Sequence, residues 1–359
     1  MAADDWAIVV GVWLYPALDN LRGPENDAVA FAEWLRDPDG GDIRTKRKTQ
    51  IQLILSSDFH PPFAGADVAK PTRDGIERAF DRLEREAQKS QKKNKGLRVG
   101  RRLYLYFAGH GFAPMREEAA LLTANATPSN LRYHVAGRAW ANWFHKANYF
   151  DEIVLFMDCC QNSYSNSPIN PVGYGDITGP KVGLRFFGFG TKWSKVSWER
   201  AMLDGKVHGV FTTALLNGLK GAAADPNTGI VNGKALREYL LNYMREFLSP
   251  EDRQNPDVSP EPDIPDLDNA GGLVFTQLTP PIFSVTLRLP AAAAGKTISI
   301  MDNKFVVVKS TAMPVGAVTP WKVQLKRGNY LAQVIGDGQG VPFDVSGSEP
   351  EPDGKTINL

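Results

Sequence analysis

The chain has 359 residues, of which 43% are hydrophobic and 23% are charged, an ordinary composition for a globular protein of about two domains. Its 41 basic and 40 acidic residues nearly cancel, which argues against nucleic acid or an anionic membrane surface as a partner. No apolar run approaches the roughly 18 residues of a membrane span, and the acidic N-terminus lacks the basic region of a secretory signal.

The N-terminal half of the chain alternates between short apolar runs and amphipathic stretches, which indicates the strands and helices of a parallel sheet. Pro24 suits the first turn of a helix, and Thr72 is suited to cap the start of another. The apolar runs predict strands at 7–12, 51–55, 103–108, 153–157 and 184–189, and the amphipathic stretches predict helices at 28–35, 72–87 and 139–147.

The segments after these strands carry weaker signals. Residues 207–221 are typical of a helix that ends in glycine, and 236–247 of a second helix. Five prolines between 249 and 268 predict an extended stretch without a helix. Residues 273–275 predict a last short strand that closes the sheet.

The pattern changes after Pro280 and Pro281 to short, partly alternating segments separated by Gly, Pro, Asn and Asp. We therefore predict an α/β domain with a mostly parallel sheet over 1–279 and an immunoglobulin-like all-β sandwich over 280–359. Because the second domain contains no His or Cys, we expect it to be a binding or regulatory module. Its predicted strands are 284–289, 297–301, 305–308, 321–325 and 330–334.

Two of the predicted strands deliver reactive side chains to one edge of the sheet. The strand at 103–108 is followed by His110 between two glycines, and the strand at 153–157 is followed by Asp158 and then by Cys160. Ligands gather at the carboxyl ends of parallel strands, so adjacent strands would bring the histidine and the cysteine together. A thiol attacks carbonyl carbon as thiolate, and an imidazole can accept its proton. A Gly-His-Gly turn alone is weak evidence, because a hydrogen-bonded turn histidine is at least as common.

The two cysteines of the chain, Cys159 and Cys160, are adjacent. A disulfide between adjacent cysteines needs strained geometry, so we predict free thiols in a reducing cytoplasm. A structural zinc site would need a second pair of ligands at a spacing such as C-x2-C. The sequence has no such pair, and we predict no metal.

Four motifs together resemble the caspase/metacaspase family of cysteine peptidases, in a prokaryotic form. The histidine precedes the cysteine by about 50 residues, as in caspases. The motifs follow the order of the family, cover roughly residues 6 to 275, and imply a three-layer sandwich with a mostly parallel sheet. They are Leu21-Arg22-Gly23 through Asn26-Asp27-Ala28, Tyr106-Phe107-Ala108-Gly109-His110-Gly111, Phe156-Met157-Asp158-Cys159-Cys160 and His208-Gly209-Val210-Phe211-Thr212.

The resemblance implies that Cys160 is the nucleophile and His110 the general acid/base. Cys159 falls where relatives have a small residue, so we expect a structural role for it. The backbone amides of Gly111 and Cys160 would bind the oxyanion, and glycine leaves that approach open. The sequence identifies no third catalytic residue.

Two acids bear on the choice of substrate. Asp158 and Asp27 match the acidic pocket residues of metacaspases, which cleave after Arg or Lys, and the forked guanidinium of Arg can bond both. Asp27 has an alternative role as an acid at a helix N-terminus, favoured by the macrodipole. Asp158 has an alternative role as a hydrogen-bonding group at a strand end.

The long loop at 162–195 begins directly after the nucleophile. Relatives are often activated by cleavage in this region, and an enzyme that prefers basic residues could cut its own loop. The departures from the family pattern are Gln161-Asn162-Ser163, where metacaspases usually have His-Ser-Gly, and the absence of a recognisable calcium loop, so we expect no cofactor. The candidate self-cleavage residues are Lys181, Arg185, Lys192 and Lys195.

The leading hypothesis is a cytoplasmic endopeptidase that cleaves protein or peptide substrates after Arg, and less readily after Lys. An upstream activating protease or a regulatory protein is an implied partner, and bacterial relatives often serve cell-death or antiphage programmes. The alternative hypothesis is a catalytically silent scaffold that recruits partners through its β-domain. A flavodoxin-like ligand binder is disfavoured, because Val10-Gly11-Val12-Trp13 follows the first strand where a glycine-rich phosphate loop would be needed.

Overall fold

The structure is a computed structural model. Among the residues described here, no helix has both the length and the apolar character needed to cross a membrane. The predicted boundary between 279 and 280 lies outside those residues. The chain divides into a first compact unit, residues 1–223 with 231–276, and a second, residues 224–230 with 277–359. The described residues are 4–43, 50–115, 118–162, 168–175, 183–195, 197–202, 205–225, 228–254, 261–265, 270–278, 282–302, 305–316, 319–326, 328–336, 340–345 and 355–358.

The part of the chain before residue 278 contains both strands and helices. The strands are β1 (Trp6–Gly11), β2 (Ile51–Leu55), β3 (Gly100–Ala108), β4 (Gly111–Phe112), β5 (Ala120–Leu122), β6 (His134–Val135), β7 (Phe150–Asp158), β8 (Leu184–Phe189), β9 (Glu199–Ala201), β10 (Val207–Gly209), β11 (Ile230–Asn232) and β12 (Val274–Gln277). The α-helices are α1 (Pro24–Arg36), α2 (Arg73–Lys92), α3 (Gly137–Ala147), α4 (Val210–Asn217), α5 (Gly233–Tyr243) and α6 (Pro250–Gln254).

The central sheet has the order β2-β1-β3-β7-β8, and every neighbouring pair in it is parallel. One face packs on Phe80 of α2 and Phe144 of α3 in a single apolar core. The other face packs on α1, where the ring of Phe31 stacks on Tyr106 with centroids 4.6 Å apart. Phe211 of α4 lies on the same face. Helices on both faces of a parallel sheet confirm the predicted three-layer α/β architecture.

The helix signals read from the sequence are confirmed at two starts. Pro24 occupies the first turn of α1. Thr72 caps α2, because its hydroxyl oxygen accepts a hydrogen bond from the Gly75 amide at 3.2 Å.

Three expectations for the later segments are wrong. Residues 207–209 form β10, and only then does α4 begin. A short helix, α6, lies inside the proline-rich stretch, because Pro250 takes its first turn, where the missing amide costs nothing, and the Ser249 hydroxyl accepts from the Asp252 amide at 3.0 Å. β12 pairs with β11 in a separate two-stranded sheet and does not close the central one.

The second unit contains two sheets. A three-stranded sheet has the order β16-β13-β19 and a four-stranded sheet the order β15-β14-β17-β18. Apolar side chains from both sheets, among them Val285 and Ile300, form one core, which confirms the predicted sandwich. The last two strands lack a clear signal in the sequence and were not predicted. The strands are β13 (Ile282–Arg288), β14 (Thr297–Asp302), β15 (Val307–Ala312), β16 (Trp321–Lys326), β17 (Gly328–Val334), β18 (Gly340–Val345) and β19 (Lys355–Asn358).

Candidate active site

The carboxyl ends of β3 and β7 bring the histidine and the cysteine to one place. The two strands are parallel neighbours, and Ala108 lies opposite Asp158 in their register. The Gly109 amide continues the ladder by donating to the Asp158 carbonyl at 3.3 Å. His110 and Cys160 each lie two residues beyond this last pair, so both emerge at the same edge of the sheet.

Tyr15 fixes the position of His110. Its hydroxyl accepts from the His110 amide at 3.0 Å and donates to the Leu122 carbonyl at 3.1 Å. The two rings lie with their centroids 4.7 Å apart. Gly109 is required before the histidine, because its φ of +152° is rare for other residues and an added Cβ would lie 2.5 Å from the Tyr15 hydroxyl.

The outer nitrogen of the imidazole is bound to the main chain. His110 Nε2 lies 2.7 Å from the Asp19 carbonyl oxygen, which can only accept, so Nε2 carries a proton and Nδ1 is the acceptor of the neutral ring. Within the described residues, no hydrogen bond joins this ring to Cys160. Catalytic hydrogen bonds often form only when substrate binds. The Asp19 carbonyl was missed by sequence reasoning, since any residue type can supply a carbonyl.

Cys160 is the partly exposed thiol of the pair. The Ser197 amide donates to its sulfur at 3.3 Å. Burial raises the pKa of this thiol, the Ser197 amide lowers it, and the charges of Asp158 and Glu199 raise it. A thiol in these surroundings keeps its proton at rest and needs a base to ionise.

Cys159 is buried, at 2% exposure, and burial raises the pKa of its thiol well above the usual range. Its sulfur would lie 2.7 Å from a Cβ added to Gly111. The side chain therefore packs beneath the histidine loop.

The amide of Gly111 is directed away from β5. The Leu122 amide donates to the His110 carbonyl at 2.8 Å, so Gly111 and Leu121 form a pair whose amides point out of this ladder. The segment after Cys160 runs along that side, and a Cβ on Gly111 would lie 2.7 Å from the Cys160 carbonyl oxygen. Only glycine allows this approach.

Asp158 is buried and fully engaged by hydroxyl and amide donors. Its Oδ1 accepts from the Ser197 hydroxyl at 2.6 Å. Its Oδ2 accepts from the Thr212 hydroxyl at 2.7 Å and the Thr212 amide at 3.1 Å. Burial raises the pKa of this carboxyl, and these hydrogen bonds lower it. No hydrogen bond to Asp158 comes from a cation within the described residues.

Asp27 lies beside it on α1. Its Oδ1 is 2.7 Å from His208 Nδ1, and its Oδ2 accepts from the Gly209 amide at 2.9 Å. Burial raises the pKa of Asp27 to about 7, the His208 hydrogen bond lowers it, and the charge of Asp158 raises it. The two predicted acids are thus neighbours in space, both beside Gly209.

Glu199 is a third carboxylate near these acids, and sequence reasoning missed it. Its two oxygens accept from the Arg22 and Gly23 amides, each at 3.1 Å. A Cβ on Gly23 would lie 3.0 Å from Glu199 Oε1 and 3.3 Å from Asp27 Oδ2. Unlike the other two acids it is exposed to solvent. No local motif marks it, because its position depends on how β9 folds against the start of α1.

The candidate self-cleavage residues have different environments. Lys181 lies outside the described residues. Arg185 lies within β8, where its backbone belongs to the central sheet, and it is less exposed than Lys192 and Lys195. Lys192 and Lys195 are exposed after that strand, and the Lys195 carbonyl accepts from the Gln161 amide at 3.1 Å.

Comparisons with known proteins show to which family the chain belongs. The model of the caspase domain family matches residues 4–261. A probable protease from a Desulfuromonadales bacterium is 26% identical over 249 residues, which are 67% of this chain and 28% of that protein, so the chain spans less than a third of this relative. The crystal structure of caspase-1 from Spodoptera frugiperda aligns over 74% of this chain and 86% of its own, with a TM-score of 0.40 and 12% identity. Because the family model matches more than half of the chain, the chain belongs to the caspase domain family of cysteine peptidases.

Proposed function

We propose that the chain is a cysteine endopeptidase that cleaves protein substrates after Arg, and less readily after Lys, through an acyl-enzyme on Cys160. The observation that supports this most is the convergence at one sheet edge of an oriented imidazole, a partly exposed thiol and a buried pair of acids. Each has a separate task in hydrolysis after a basic residue. The substrates are proteins or peptides with basic residues.

The proposed mechanism begins with proton transfer. His110 Nδ1 takes the proton of the Cys160 thiol, and the thiolate attacks the scissile carbonyl carbon. The amides of Gly111 and Cys160 donate to the oxyanion as charge develops there. The imidazolium then gives its proton to the leaving amine, and the C–N bond breaks. Water, deprotonated by the same ring, hydrolyses the thioester and restores the thiol.

The Asp19 carbonyl supports both halves of this cycle. It accepts the Nε2 proton of the His110 ring at 2.7 Å, which keeps Nδ1 as the free base at the start. It continues to accept that proton when the ring becomes a cation, which stabilises the imidazolium. A main-chain carbonyl here does the orienting that a side-chain acid does in a catalytic triad.

The acids are proposed to bind the substrate side chain. Asp158 and Asp27 would form the floor of the pocket and Glu199 its exposed rim. A guanidinium can bond two carboxylates at once through its planar fork, whereas a Lys ammonium is a point charge with a stronger hydration shell, which gives the preference for Arg.

We propose that the described conformation is latent and that cleavage in the loop after the nucleophile activates it. Ser197 donates its amide to the Cys160 sulfur and its hydroxyl to Asp158, so one residue engages both the nucleophile and the specificity acid. Cleavage after Lys192 or Lys195 would release the segment that contains Ser197. Lys181 is a further candidate. An upstream protease or a regulatory protein could make the same cut or displace the same segment, and the β-sandwich unit is the proposed place for such a partner to bind.

The deciding experiment compares three proteins on a fluorogenic peptide that ends in Arg. After limited digestion with an activating protease, we expect turnover by the wild type and by Cys159→Ala, the matched control, and none by Cys160→Ala. Turnover that survives in Cys160→Ala would overturn the mechanism, and a preference for Asp over Arg would overturn the specificity. If all three are silent even after limited digestion with an activating protease, the chain is the silent scaffold.

A further inference from the structure

His208 occupies the acidic floor of the proposed pocket, although the mechanism assigns it no task. It lies on β10 and its side chain is 13% exposed. Its Nδ1 is 2.7 Å from Asp27 Oδ1, while the amide of the next residue, Gly209, donates to the other Asp27 oxygen at 2.9 Å. The same strand therefore supplies both a ring nitrogen and a main-chain amide to a single carboxylate.

Asp158 lies close enough to Asp27 for the charges of the two acids to interact. A Cβ placed on Gly209 would lie 2.0 Å from Asp158 Oδ2 and 3.0 Å from Asp27 Oδ2, so the two oxygens lie within about 5 Å of each other beside this glycine. Two buried carboxylates at such a separation repel each other, and one of them tends to hold a proton unless a cation is near. A protonated Asp27 would bind an arginine side chain poorly.

The hydrogen-bonding partners of the two acids differ in their capacity for charge. Ser197, Thr212 and the Gly209 amide are neutral donors to them. Among the described residues, His208 is the partner of the pair that can carry a positive charge. Burial raises the pKa of Asp27 to about 7, and the His208 hydrogen bond opposes that rise.

We propose that His208 is a specificity-determining residue, which keeps Asp27 ionised and matches the charge of the acid pair to one bound guanidinium. This inference rests on the proposed cleavage after Arg. With His208 protonated and both acids ionised, the floor carries one net negative charge, and one arginine side chain neutralises it. Without His208, the floor holds either two repelling charges or a protonated Asp27.

The other titratable and charged groups around this pair lie on β3 and β9. Tyr106 of β3 is neutral, because burial raises the pKa of its hydroxyl well above the usual range. Arg200 of β9 lies opposite His208 in the β9–β10 ladder and donates to the Phe247 carbonyl at 2.6 Å. Glu199 of β9 bonds the amides before α1. The expected pH dependence of the floor therefore centres on Asp27, whose pKa burial raises to about 7 and the His208 hydrogen bond lowers.

The test uses two substitutions at this position and one elsewhere. His208→Asn keeps a donor close to the position of Nδ1 and removes the charge, whereas His208→Ala removes both. His145→Asn, on α3, is the matched control, since that histidine bonds the Gly183 carbonyl on a remote part of the chain. Thermal unfolding of each variant checks that it folds.

We expect His208→Ala to raise KM for an Arg peptide about tenfold at pH 7.5 with kcat within about threefold, the loss of roughly one charge-assisted hydrogen bond. Because arginine binds the ionised acid, kcat/KM falls as the pH drops through the pKa of Asp27. Removing His208 raises the pKa of Asp27 further. The acid limb of the kcat/KM profile, where kcat/KM falls with falling pH, therefore moves to higher pH. His208→Asn keeps the donor but not the charge, so it should recover only a small part of the KM and of the shift in the acid limb, and His145→Asn should change neither.

Alkylation of Cys160 by iodoacetamide separates the pocket from the dyad. This reagent has no basic group, so its pH profile should be the same in the wild type and in both His208 variants. The inference is overturned if KM and the acid limb of His208→Ala match the wild type, if kcat alone falls, or if the alkylation profile shifts by the same amount as kcat/KM.

A binding measurement covers the case in which no peptide is cleaved. Calorimetry with benzamidine as the probe, on Cys160→Ala, should show binding at pH 8 that weakens by about tenfold when His208→Ala is added. If no peptide is cleaved but benzamidine binds in this way, the peptidase function is refuted and the role of His208 stands. Equal benzamidine affinity with and without His208, or no binding at all, would refute the role itself.

Discussion

The two ends of the central sheet both bury charge, and they handle it in opposite ways. At the amino end, Arg102 is almost fully buried and bonds Glu152 at 2.5 Å, while Arg101 bonds both Glu152 and Asp5. At the carboxyl end, Asp158 is bonded by neutral groups and Asp27 by a histidine. The acids at the amino end have arginines of the chain as partners, whereas Asp158 and Asp27 are bonded by no arginine among the described residues.

The buried arginine of the amino-end cluster, Arg102, has several hydrogen-bond acceptors of the chain around it. Arg102 donates to the Tyr104 hydroxyl and to the Val274 carbonyl, each at 2.7 Å, in addition to its ion pair. Even there, burial raises the pKa of Asp5 to about 6 against the effect of two arginines. At the carboxyl end, the corresponding guanidinium would be that of the substrate.

The largest effect should come from Asp158→Asn. We expect kcat/KM for an Arg peptide to fall about 1,000-fold, because the substrate guanidinium would be left beside a neutral amide in a buried pocket. The Asp158 charge raises the pKa of the Cys160 thiol, so the rate of Cys160 alkylation should rise in the variant. A fall in kcat/KM with a faster alkylation therefore lies in substrate binding. An Arg substrate that is cleaved normally by the variant would contradict the proposed pocket.

The complementary substitution at the other end is Arg102→Met. Removing this guanidinium takes a hydrogen bond from the Tyr104 hydroxyl and the Val274 carbonyl and leaves Glu152 with Arg101 alone, so we expect a loss of about 3 kcal/mol in the free energy of unfolding. The active site lies about 25 Å away along β3, so kcat/KM should stay within about twofold. A large drop in kcat/KM without a loss of stability would contradict the view that the amino-end cluster is structural and separate from the candidate site at the carboxyl end.

Asp27→Asn should change how stability depends on pH. In the folded state the pKa of Asp27 is about 7, above its unfolded value, so the favourable contribution is present below about pH 4 and is lost as the pH rises through 7. Relative to Asp27→Asn, the wild type should therefore lose roughly 4 kcal/mol of stability between pH 4 and pH 8. Parallel unfolding curves for the two proteins across this range would show that Asp27 does not titrate as described.

The smallest effect should come from Glu199→Gln. This carboxylate is exposed, so we expect only a three- to fivefold fall in kcat/KM for Arg peptides, and the difference should shrink at high salt. Kinetics at 50 mM and 500 mM NaCl make the measurement. A salt-independent loss as large as that of Asp158→Asn would move Glu199 from the rim to the floor of the pocket.

Much of the first unit could be predicted from sequence because its strands are buried on both faces. A run such as Ile153 to Met157 has one physical explanation in a chain of this size, and the polar residues after it mark the functional edge. The short helix at Pro250 was missed because proline opposes a helix interior yet favours a helix start, and composition alone does not separate the two cases.

The parts of the site that escaped prediction depend on folding rather than on residue type. The Asp19 carbonyl is a main-chain group, and Glu199 comes close to Asp27 only because β9 packs near the start of α1. His208 was part of a recognised motif, but its contact with Asp27 spans 181 residues of chain. Local patterns predict strands and their ends, and they carry little information on such distant pairs.

The double engagement of Ser197 has a consequence for background proteolysis. If separate residues covered the thiol and the specificity acid, each could open alone and produce a partly active enzyme that cleaves cellular proteins without selection. Here the hydroxyl and the amide of one residue donate to both, so in the proposed activation a single displacement would free the Cys160 sulfur and one Asp158 oxygen together. The thiol would then become reactive in the same step in which the acid becomes able to bind a basic side chain. Every active molecule would therefore also be selective.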